Sequence, residues 1–554
     1  VRSVIGREEI KAILERQEKL ESKRASWHLL WQDLAEVFLP RRASFTKTVR
    51  DGEALTTKIY DSAPMLARRG LASAIDGLLK PKTGLWFNIK PRDFGVGSDD
   101  EARLWIDEAE NRQRAGMYNP RARLIERSGE VDDDVVTFGT GCLFIGTDEK
   151  EKHLVYKSYH LRRVFVVENS DGLIDTVHIV LRHTARQAFQ KWGEKIGPKI
   201  KDALKDNQDK EFEFLWVVKP RKDRDESRSD NLNFPFMSVV IGKEDENAVD
   251  ESGFREFPFA IPRCDTSTEE VYGRSPAMLA LPDANTLQAV AKTILVAGQK
   301  VVDPPLWAAS DSIVGVARTF PGGISYFDPD AASLMGGRDP VFALKSGGDI
   351  PVGRDIQNDL RMQIKSAFFL DILHLPLERP EMTATEVLER KEDFLRTMGP
   401  VFGRLESDYL APIVERSFRL MWRAGQFPEL PDSLKEVGIK FEYASPLERA
   451  RKQFETAGFG RIYEILTPLA SVNTEVLDNF DGDAIARDAP DTFGLPQKWI
   501  RPQEKVQAIR QARMDQAMTM YRDQKMIEAA GAAPRAMNAV ETAANLSKGQ
   551  AAST

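Results

Sequence analysis

The chain has 554 residues, of which 42% are hydrophobic and 29% charged, and its formal net charge is −7 at pH 7. This length and composition predict several globular domains with sizeable cores. Affinity for duplex DNA comes largely from neutralising phosphates, so the acidic balance argues against a conventional DNA-binding protein. No apolar run reaches the ~20 residues that cross a bilayer, and two cysteines do not make a disulfide framework, which suits a reducing cytosol.

The first part of the chain is predicted to be mainly helical. Apolar residues recur at helical spacing over 8–38, 62–80 and 100–138. Pro40 ends the first of these helices, because proline has no N–H to donate to the helix. The run at 85–89 predicts a short strand before the third helix.

Residues 141–262 change to the short β-branched and aromatic runs that are typical of strands. A helix near 185–205 interrupts them. We therefore expect an α+β region with an antiparallel sheet. The predicted strands are 142–145, 164–167, 177–181, 214–218 and 237–241.

Two helices flank an insert rich in proline and glycine in the middle of the chain. The first is predicted to follow Leu281 and to run to about Val301, and the second to run from near Val352 to Phe369. The insert, Asp303 to Gly348, holds turn signals and strand-like runs such as 324–327 and 341–344. If the insert is compact, the helices must be antiparallel partners. This order of elements indicates architecture rather than a catalytic pocket.

The second of these helices has two distinct faces. One face carries cations at helical spacing, and the opposite face is apolar. In a monomer the charged face would simply be solvated, whereas in a ring of such helices it would line a hole or pair with acidic neighbours. The charged face comprises Arg354, Asn358, Arg361 and Lys365, and the apolar face Ile356, Leu360, Ile364 and Phe368.

A long helix is predicted after a loop at 370–382. Thr383 and Glu386 form a capping box, and apolar residues then step by seven through Phe402 and Tyr409. Pro400 should kink this helix rather than end it. Residues 446–554 are predicted to be mostly helical, with a frayed end.

The sequence contains no pattern that is typical of an enzyme. It lacks a phosphate-binding P-loop and the His-Glu-x-x-His and Cys-x-x-Cys zinc patterns. The cluster Asp132-Asp133-Asp134 could hold a divalent cation, as in a metal-dependent hydrolase, but a solvated charge run is the preferred interpretation. No catalytic residue, metal site or cofactor is therefore expected.

Several segments together resemble portal proteins, the head-to-tail connectors of short-tailed bacteriophages. Residues 270–276 are similar to the approach to the first stem helix in that family, and 382–390 with 399–405 are similar to its passage from loop to long helix. The N-terminal run 31–40 is also similar. The resemblance covers roughly residues 8–530.

The resemblance implies a mostly helical α+β subunit of a ring, usually of twelve copies, around an axial channel. The order helix–insert–helix agrees with it, because the apolar faces of the two helices are too long for a monomer to cover. The implied parts are a wing at 1–270, stem helices at 271–302 and 349–369, a clip at 303–348, a channel loop at 370–383, a long kinked helix with more wing at 384–445, and a crown, possibly a barrel, at 446–554.

The family also implies partners: the capsid protein, a terminase motor, a tail adaptor and the double-stranded DNA in the channel, but no membrane. The protein would assemble in the host cytoplasm and reside in the virion at one capsid vertex. The residues expected to face the DNA are Arg354, Arg361, Lys365, His374 and Arg379, and those expected to dock partners at the clip are Trp307, Phe320, Tyr326 and Phe327.

Alternatives remain at each level. Arg354 and Arg361 would instead pair with acidic residues of a neighbouring subunit, and the clip aromatics would form the small core of the insert. At the level of the whole protein, the rivals are a structural capsid or scaffold ring without a DNA channel and a hydrolase that uses Asp132.

Overall fold

The computed structural model of the protein contains both helix and sheet, which confirms the α+β class. The chain divides into two compact units, the first comprising 1–89, 110–428 and 441–450 and the second the rest. The residues described are 5–50, 52–82, 86–92, 100–148, 152–228, 230–309, 318–327, 341–343, 350–371, 399, 401–443, 483, 501, 503 and 505–526.

The N-terminal region holds two helices where one was predicted over 8–38. Helix α1 (Arg7–Lys23) ends at Arg24, and α2 (Ala25–Phe38) begins directly after it. The prediction of one helix is wrong because the buried guanidinium of Arg24 donates to the carbonyl oxygens of Leu161 and Arg162. This long-range contact breaks the helix at a residue whose own propensity is helical.

The next helices are α3 (Ala63–Leu79), α4 (Asp100–Met117) and α5 (Leu124–Phe138). Helix α3 confirms the prediction for that segment. The single helix predicted over 100–138 is wrong, because Pro120 lies between α4 and α5 and Arg123 adopts a left-handed backbone, with φ of 58°.

An antiparallel five-stranded sheet follows, as predicted, in the order β4-β5-β6-β7-β8. Its strands are β4 (Val164–Glu168), β5 (Ile174–Thr184), β6 (Glu211–Pro220), β7 (Phe236–Gly242) and β8 (Asn247–Phe254). The sequence did not predict β8, because this edge strand has a largely polar sequence. Apolar residues of α1 cover one face of the sheet, and the opposite face joins the main core.

A smaller sheet pairs its strands in the order β3-β2-β9. Its strands are β2 (Leu143–Thr147), β3 (Leu154–Ser158) and β9 (Phe259–Ala260). Helices α6 (Ala185–Trp192) and α7 (Pro198–Asp206) replace the one helix predicted near 185–205. Gly193, whose φ is 58°, ends α6 and so separates the two helices.

The central pair of helices comprises α8 (Pro276–Val302) and α9 (Ile350–Ala367). Helix α8 begins at Pro276, whereas the sequence predicted a start after Leu281. Pro282 lies inside the helix. The start is corrected because Ser275 caps the helix, its hydroxyl accepting from the Met278 N–H at 3.2 Å. Proline at the first helical position, Pro276, adds to this start signal.

The insert contributes a three-stranded sheet to the described residues. Strand β10 (Leu306–Ala309) lies between β11 (Ile324–Phe327), which is parallel to it, and β12 (Val341–Ala343), which is antiparallel. The two strands predicted within the insert are thereby confirmed, and β10 was not predicted.

The long helix is described from residue 401 onward. Residues 401–405 are helical, Glu406–Leu410 form a π-helical turn, and α10 (Ala411–Arg423) continues the helix. It ends next to Gly425, as predicted, where φ is 69°. The capping box at Thr383 and the kink at Pro400 lie outside the described residues.

The remaining elements are short or belong to the second unit. Strand β1 (Phe87–Pro91) begins two residues after the start of the strand predicted at 85–89. It pairs with β13 (Ile439–Tyr443). The second unit includes α11 (Asp432–Val437) and a helix over 505–526. Within the described parts of the chain, no helix has the length and apolar character needed to span a membrane.

Candidate functional site

Helices α8 and α9 pack against each other as antiparallel partners. A Cβ atom placed on Gly353, near the start of α9, would lie 3.1 Å from the side chain of Ile294 in the second half of α8. Gln288, earlier in α8, meets the same aspartate as Gln357 and Arg361, later in α9. The two chains therefore run in opposite directions, which confirms the sequence expectation.

Asp61 joins this helix pair to the start of α3. Its backbone carbonyl accepts from Gln288 Nε2 at 2.7 Å, and its Oδ2 accepts from Gln357 Nε2 at 2.9 Å. The Asp61 Oδ1 atom accepts from the N–H of Ala63 at 2.9 Å, at the first residue of α3. A single buried aspartate thus contacts three helices, α3 and α9 through its carboxylate and α8 through its backbone carbonyl.

Arg361 belongs to the same junction. Its Nη2 atom lies 2.9 Å from Asp61 Oδ2, and the Arg361 side chain is 40% exposed. The guanidinium of a residue expected to face DNA is thus held by a carboxylate of its own chain. Asp61 and Gln288 were missed at the sequence level, because nothing local marks a partner more than two hundred residues away.

The other predicted channel residues differ in how the structure describes them. Arg354 and Lys365 are exposed on α9, and neither makes an ion pair with another described residue. His374 and Arg379 lie outside the described residues. Arg354, Arg361 and Lys365 therefore all lie on α9, and Arg361 forms an ion pair with Asp61.

Much of the apolar surface of the helix pair is uncovered within one chain. The C-terminal half of the predicted apolar face of α9 is buried at Ile364 and Phe368, whereas Ile356 is exposed. Ile356 is exposed in the single chain because α9 extends beyond the elements that pack on it. The exposed apolar side chains of the pair are Leu279, Leu295, Val296, Val301, Val302, Val352, Ile356 and Met362.

The insert presents aromatic side chains to solvent. Phe320 is 57% exposed and Tyr326 is 40% exposed, whereas Trp307 is half-buried in β10. Phe327 is the last residue of β11. Two of the predicted docking aromatics are therefore available at the surface of a small sheet, where a partner can cover them.

The Asp132-Asp133-Asp134 cluster is a buried ion-pair hub, so its interpretation as a solvated charge run is wrong. Asp132 pairs with Lys80 at the end of α3, with Nζ–Oδ2 at 2.6 Å. Asp133 pairs with Arg41 and Arg68. Helical periodicity sends three consecutive side chains to different neighbours, and cations from other elements meet each of them.

The titration of this hub is strongly perturbed. Burial raises the pKa of Asp132 to about 6, although Lys80 opposes the shift. Burial raises the pKa of Asp134 to about 7, with Arg42 opposing it at 3.2 Å. Each carboxylate already has a cation, and in the described part of the chain no group of His, Cys, Asp and Glu forms a metal site.

The π-helical turn is anchored at two consecutive residues. Arg263 Nε donates to Asp408 Oδ2 at 3.1 Å, and the Tyr409 hydroxyl donates to the carbonyl of Ser128 at 3.1 Å. Lys80 Nζ also donates to the Tyr409 oxygen at 3.1 Å. Because π-turns mark an extra residue in a helix, these tertiary bonds select the wider turn.

Comparison with known proteins identifies a matching family and relatives of this chain. The family described as "Bacteriophage head to tail connecting protein" matches residues 10–500. The portal protein of Salmonella phage epsilon15 is 28% identical over 513 residues, 91% of each chain. The probable portal protein of Bordetella phage BPP-1 is 28% identical over 524 residues, 92% of each chain.

Among solved structures, a chain from the virion of a native gene transfer agent particle matches 77% of this chain and 94% of its own, with 11% identity and a TM-score of 0.35. The match to the family over residues 10–500 spans most of the sequence. The chain belongs to the bacteriophage head-to-tail connecting protein family.

Proposed function

We propose that the protein is a portal protein, whose copies form a ring around a DNA channel at one vertex of the capsid. The observation that carries this proposal is the antiparallel helix pair with its uncovered apolar side chains, in a chain of the head-to-tail connecting family. The printed names of the two relatives, portal protein and probable portal protein, support it. The role is structural rather than catalytic.

Ring assembly follows from what the helix pair leaves exposed. Leu295 is 53% exposed and Val302 is 87% exposed, beyond the last buried residue of α8, Ala291. Several exposed apolar side chains on one pair of helices favour an interface, and a head-to-tail contact between identical subunits forms a ring when its rotation closes. We infer twelve subunits from the resemblance to portal proteins.

In this ring, α9 and the loop after it border the DNA path. Arg354 and Lys365, with His374 and Arg379 of the loop, make weak contacts with phosphates that do not depend on sequence. Asp61 offsets the charge of Arg361 within the chain. Weak contacts are required, because firm phosphate contacts repeated around a ring would clamp the duplex rather than let it slide.

The insert is the proposed docking platform for the terminase motor and the tail adaptor. The exposed rings of Phe320 and Tyr326 support this assignment, because aromatic anchors supply much of the energy of interfaces. In portal terms, 1–270 forms the wing, the helix pair the stem, the insert the clip and 446–554 the crown. The ring resides in the virion and contacts the capsid protein through its wing.

Light scattering and negative-stain imaging of the purified protein test the proposal. The wild type is expected to form rings with a central hole. The double variant Leu295→Lys/Val302→Lys is expected to remain monomeric, because charges on both α8 sites oppose burial. Leu173→Lys is a matched control, since Leu173 is 57% exposed on the turn between β4 and β5, and this variant should form rings.

Three outcomes contradict the proposal. If the wild type stays monomeric at all protein and salt concentrations, the proposal of a ring fails. If the α8 double variant forms the same rings as the wild type, the exposed surface of the helix pair is not the assembly interface. Closed rings without an axial hole favour the alternative of a structural capsid or scaffold ring.

A further inference from the structure

Five cationic side chains come from four elements of the first unit, and two of these elements, a 3-10 turn and α6, pack against β5. We call this set the wing cation cluster, because it lies in the segment proposed as the wing. Arg162 and Arg163 belong to a 3-10 turn, and the other members come from β3, β5 and α6. The cluster comprises Lys157, Arg162, Arg163, Arg182 and Lys191.

The β4–β5 register pairs Val164 with Ile179, so Arg162 and Arg163, which directly precede β4, lie beside the second half of β5, which carries Arg182. Burial and then the charge of Arg182 lower the pKa of Arg162 and Arg163. Burial and then Lys157 lower the pKa of Lys191. Within the described parts of the chain, Arg182 is the one member with an ion pair, to Glu213 at 3.0 Å. Repulsion among these cations is therefore only partly offset.

Three nearby carboxylates, those of Glu211, Glu213 and Asp250, offset the five cations of the cluster only in part. The carboxylate of Glu213 pairs with both Arg182 and Lys243. The Nζ atom of Lys243 lies 3.3 Å from Glu213 Oε2. Asp250 lies 4.0 Å from Lys195, a cation outside the cluster. A local positive excess thus persists on a chain whose net charge is −7.

The turn that carries two of the arginines is held rigidly from below. The buried guanidinium of Arg24 donates to the carbonyls of Leu161 at 3.1 Å and Arg162 at 2.6 Å, and also to that of Val164. The Arg162 N–H donates to Nδ1 of His160 at 3.0 Å. Since these bonds fix the turn, the backbone cannot move to separate the charges.

The state of His160 supports the same rigidity. Burial, followed by the charge of Arg42, lowers the pKa of His160 to about 3. The ring is therefore neutral near pH 7 and keeps a nitrogen lone pair for the N–H of Arg162. A buried arginine below the turn and a neutral histidine beside it present Arg162 and Arg163 in one orientation.

We propose that the wing cation cluster binds the phosphate backbone of double-stranded DNA at a site separate from the channel. Three of its five cations are arginines, whose planar guanidinium matches phosphate geometry. Protein–DNA interfaces are strongly positive, whereas protein–protein interfaces are depleted in charge at their core. The choice of DNA over another polyanion rests on the proposed function, because a packaged genome is the polyanion that a phage connector meets.

A fluorescence-anisotropy titration of the intact protein with a short DNA duplex, over a series of salt concentrations, tests this site. Lys157 and Arg163 are both exposed, so the variant Lys157→Gln/Arg163→Gln is expected to fold normally. Its affinity should fall about tenfold, and the slope of log K against log salt should decrease by about 1 for each lost phosphate contact. Arg163→Lys should keep the slope, because it keeps the charge.

The matched control is Lys11→Gln/Lys19→Gln, which removes the same charge from exposed positions of α1. This control should bind DNA as the wild type does. Equal weakening in both double variants would show an effect of net charge and overturn the proposal, as would unchanged binding in Lys157→Gln/Arg163→Gln. Wild-type binding to polyglutamate without binding to the duplex would identify an acidic protein partner instead.

The oligomeric state of every sample is measured by light scattering in the same buffers. If the wild type is monomeric, the proposed ring fails, yet the comparison of DNA affinity per chain still decides the cluster. If rings form and the cluster variant binds like the wild type, the cluster proposal alone fails. The two proposals are therefore distinguishable.

Discussion

The five-stranded sheet and the central helix pair treat their apolar residues differently. The sheet is covered on both faces within one chain, by α1 on one side and by the main core on the other. The helix pair buries one face of α8 between Ala277 and Ala291 but leaves Leu295 and Val302 exposed. The first region completes its core alone, whereas the second carries surface that another copy can cover, as the proposed ring requires.

The largest effect is expected when a buried residue, Trp31, and an exposed residue of the helix pair, Leu295, are each replaced by alanine. Trp31 is fully buried, and its Nε1 donates to the carbonyl of Phe138 at 3.2 Å. We expect Trp31→Ala to lower the free energy of unfolding by about 3–5 kcal/mol. Leu295→Ala should change it by less than about 0.5 kcal/mol in a monomeric sample. Urea unfolding measures both, and a comparable loss in Leu295→Ala would contradict the contrast.

The pH dependence of stability sharpens the description of the self-contained region. The folded pKa of Asp134, about 7, lies above its ordinary value of 3.8, so between these values the folded state binds more protons than the unfolded state. The contribution of this group is therefore present at low pH and is lost as pH rises towards 7, by roughly 1.4 kcal/mol per unit of pKa elevation.

The variant Asp134→Asn measures that contribution. Unfolding free energies of wild type and variant, determined at several pH values from 4 to 8, should show the wild type losing stability relative to the variant as pH rises. A constant difference across this range would show that Asp134 titrates normally. Asp133→Asn is a useful comparison, because its carboxylate meets two arginines, Arg41 and Arg68.

A smaller effect is expected at the junction between the two regions. Asp61→Asn removes the charge that Oδ2 offers to Arg361 and keeps the size of the side chain. We expect a loss of about 1–3 kcal/mol in unfolding free energy, because a buried hydrogen bond to a charged group is broken. Arg354→Gln, on the same helix but exposed, should stay within about 0.5 kcal/mol of the wild type. Equal effects would remove the junction's special role.

The smallest effect is expected from deleting Ser407, an exposed residue of the π-helical turn. Removing the extra residue lets the helix continue as an α-helix, while Phe402 and Ile413 keep their buried positions, so the loss should be below about 1 kcal/mol. Deleting the exposed Arg419 instead rotates the buried Met421 out of place, and should cost about 2–5 kcal/mol. Similar melting temperatures for the two deletions would contradict this.

The sequence by itself determined much of the local structure. Strands β4 to β7, the strands at Ile324 and Val341 and the antiparallel helix pair follow from residue type, periodicity and turn signals. The start of α8 was also encoded locally, in Ser275 and Pro276, although Pro282 was mistaken for the boundary. These features depend on neighbours a few residues apart, which is the range that sequence patterns report.

Only the tertiary structure decided where charges are buried. The helix break at Arg24, the aspartate hub at Asp132 and the junction at Asp61 each join residues that are far apart in the chain. An aspartate reads as a surface residue from sequence, because burial of a charge is costly unless a cation meets it. Whether that cation arrives depends on how distant elements pack, and no local pattern records it.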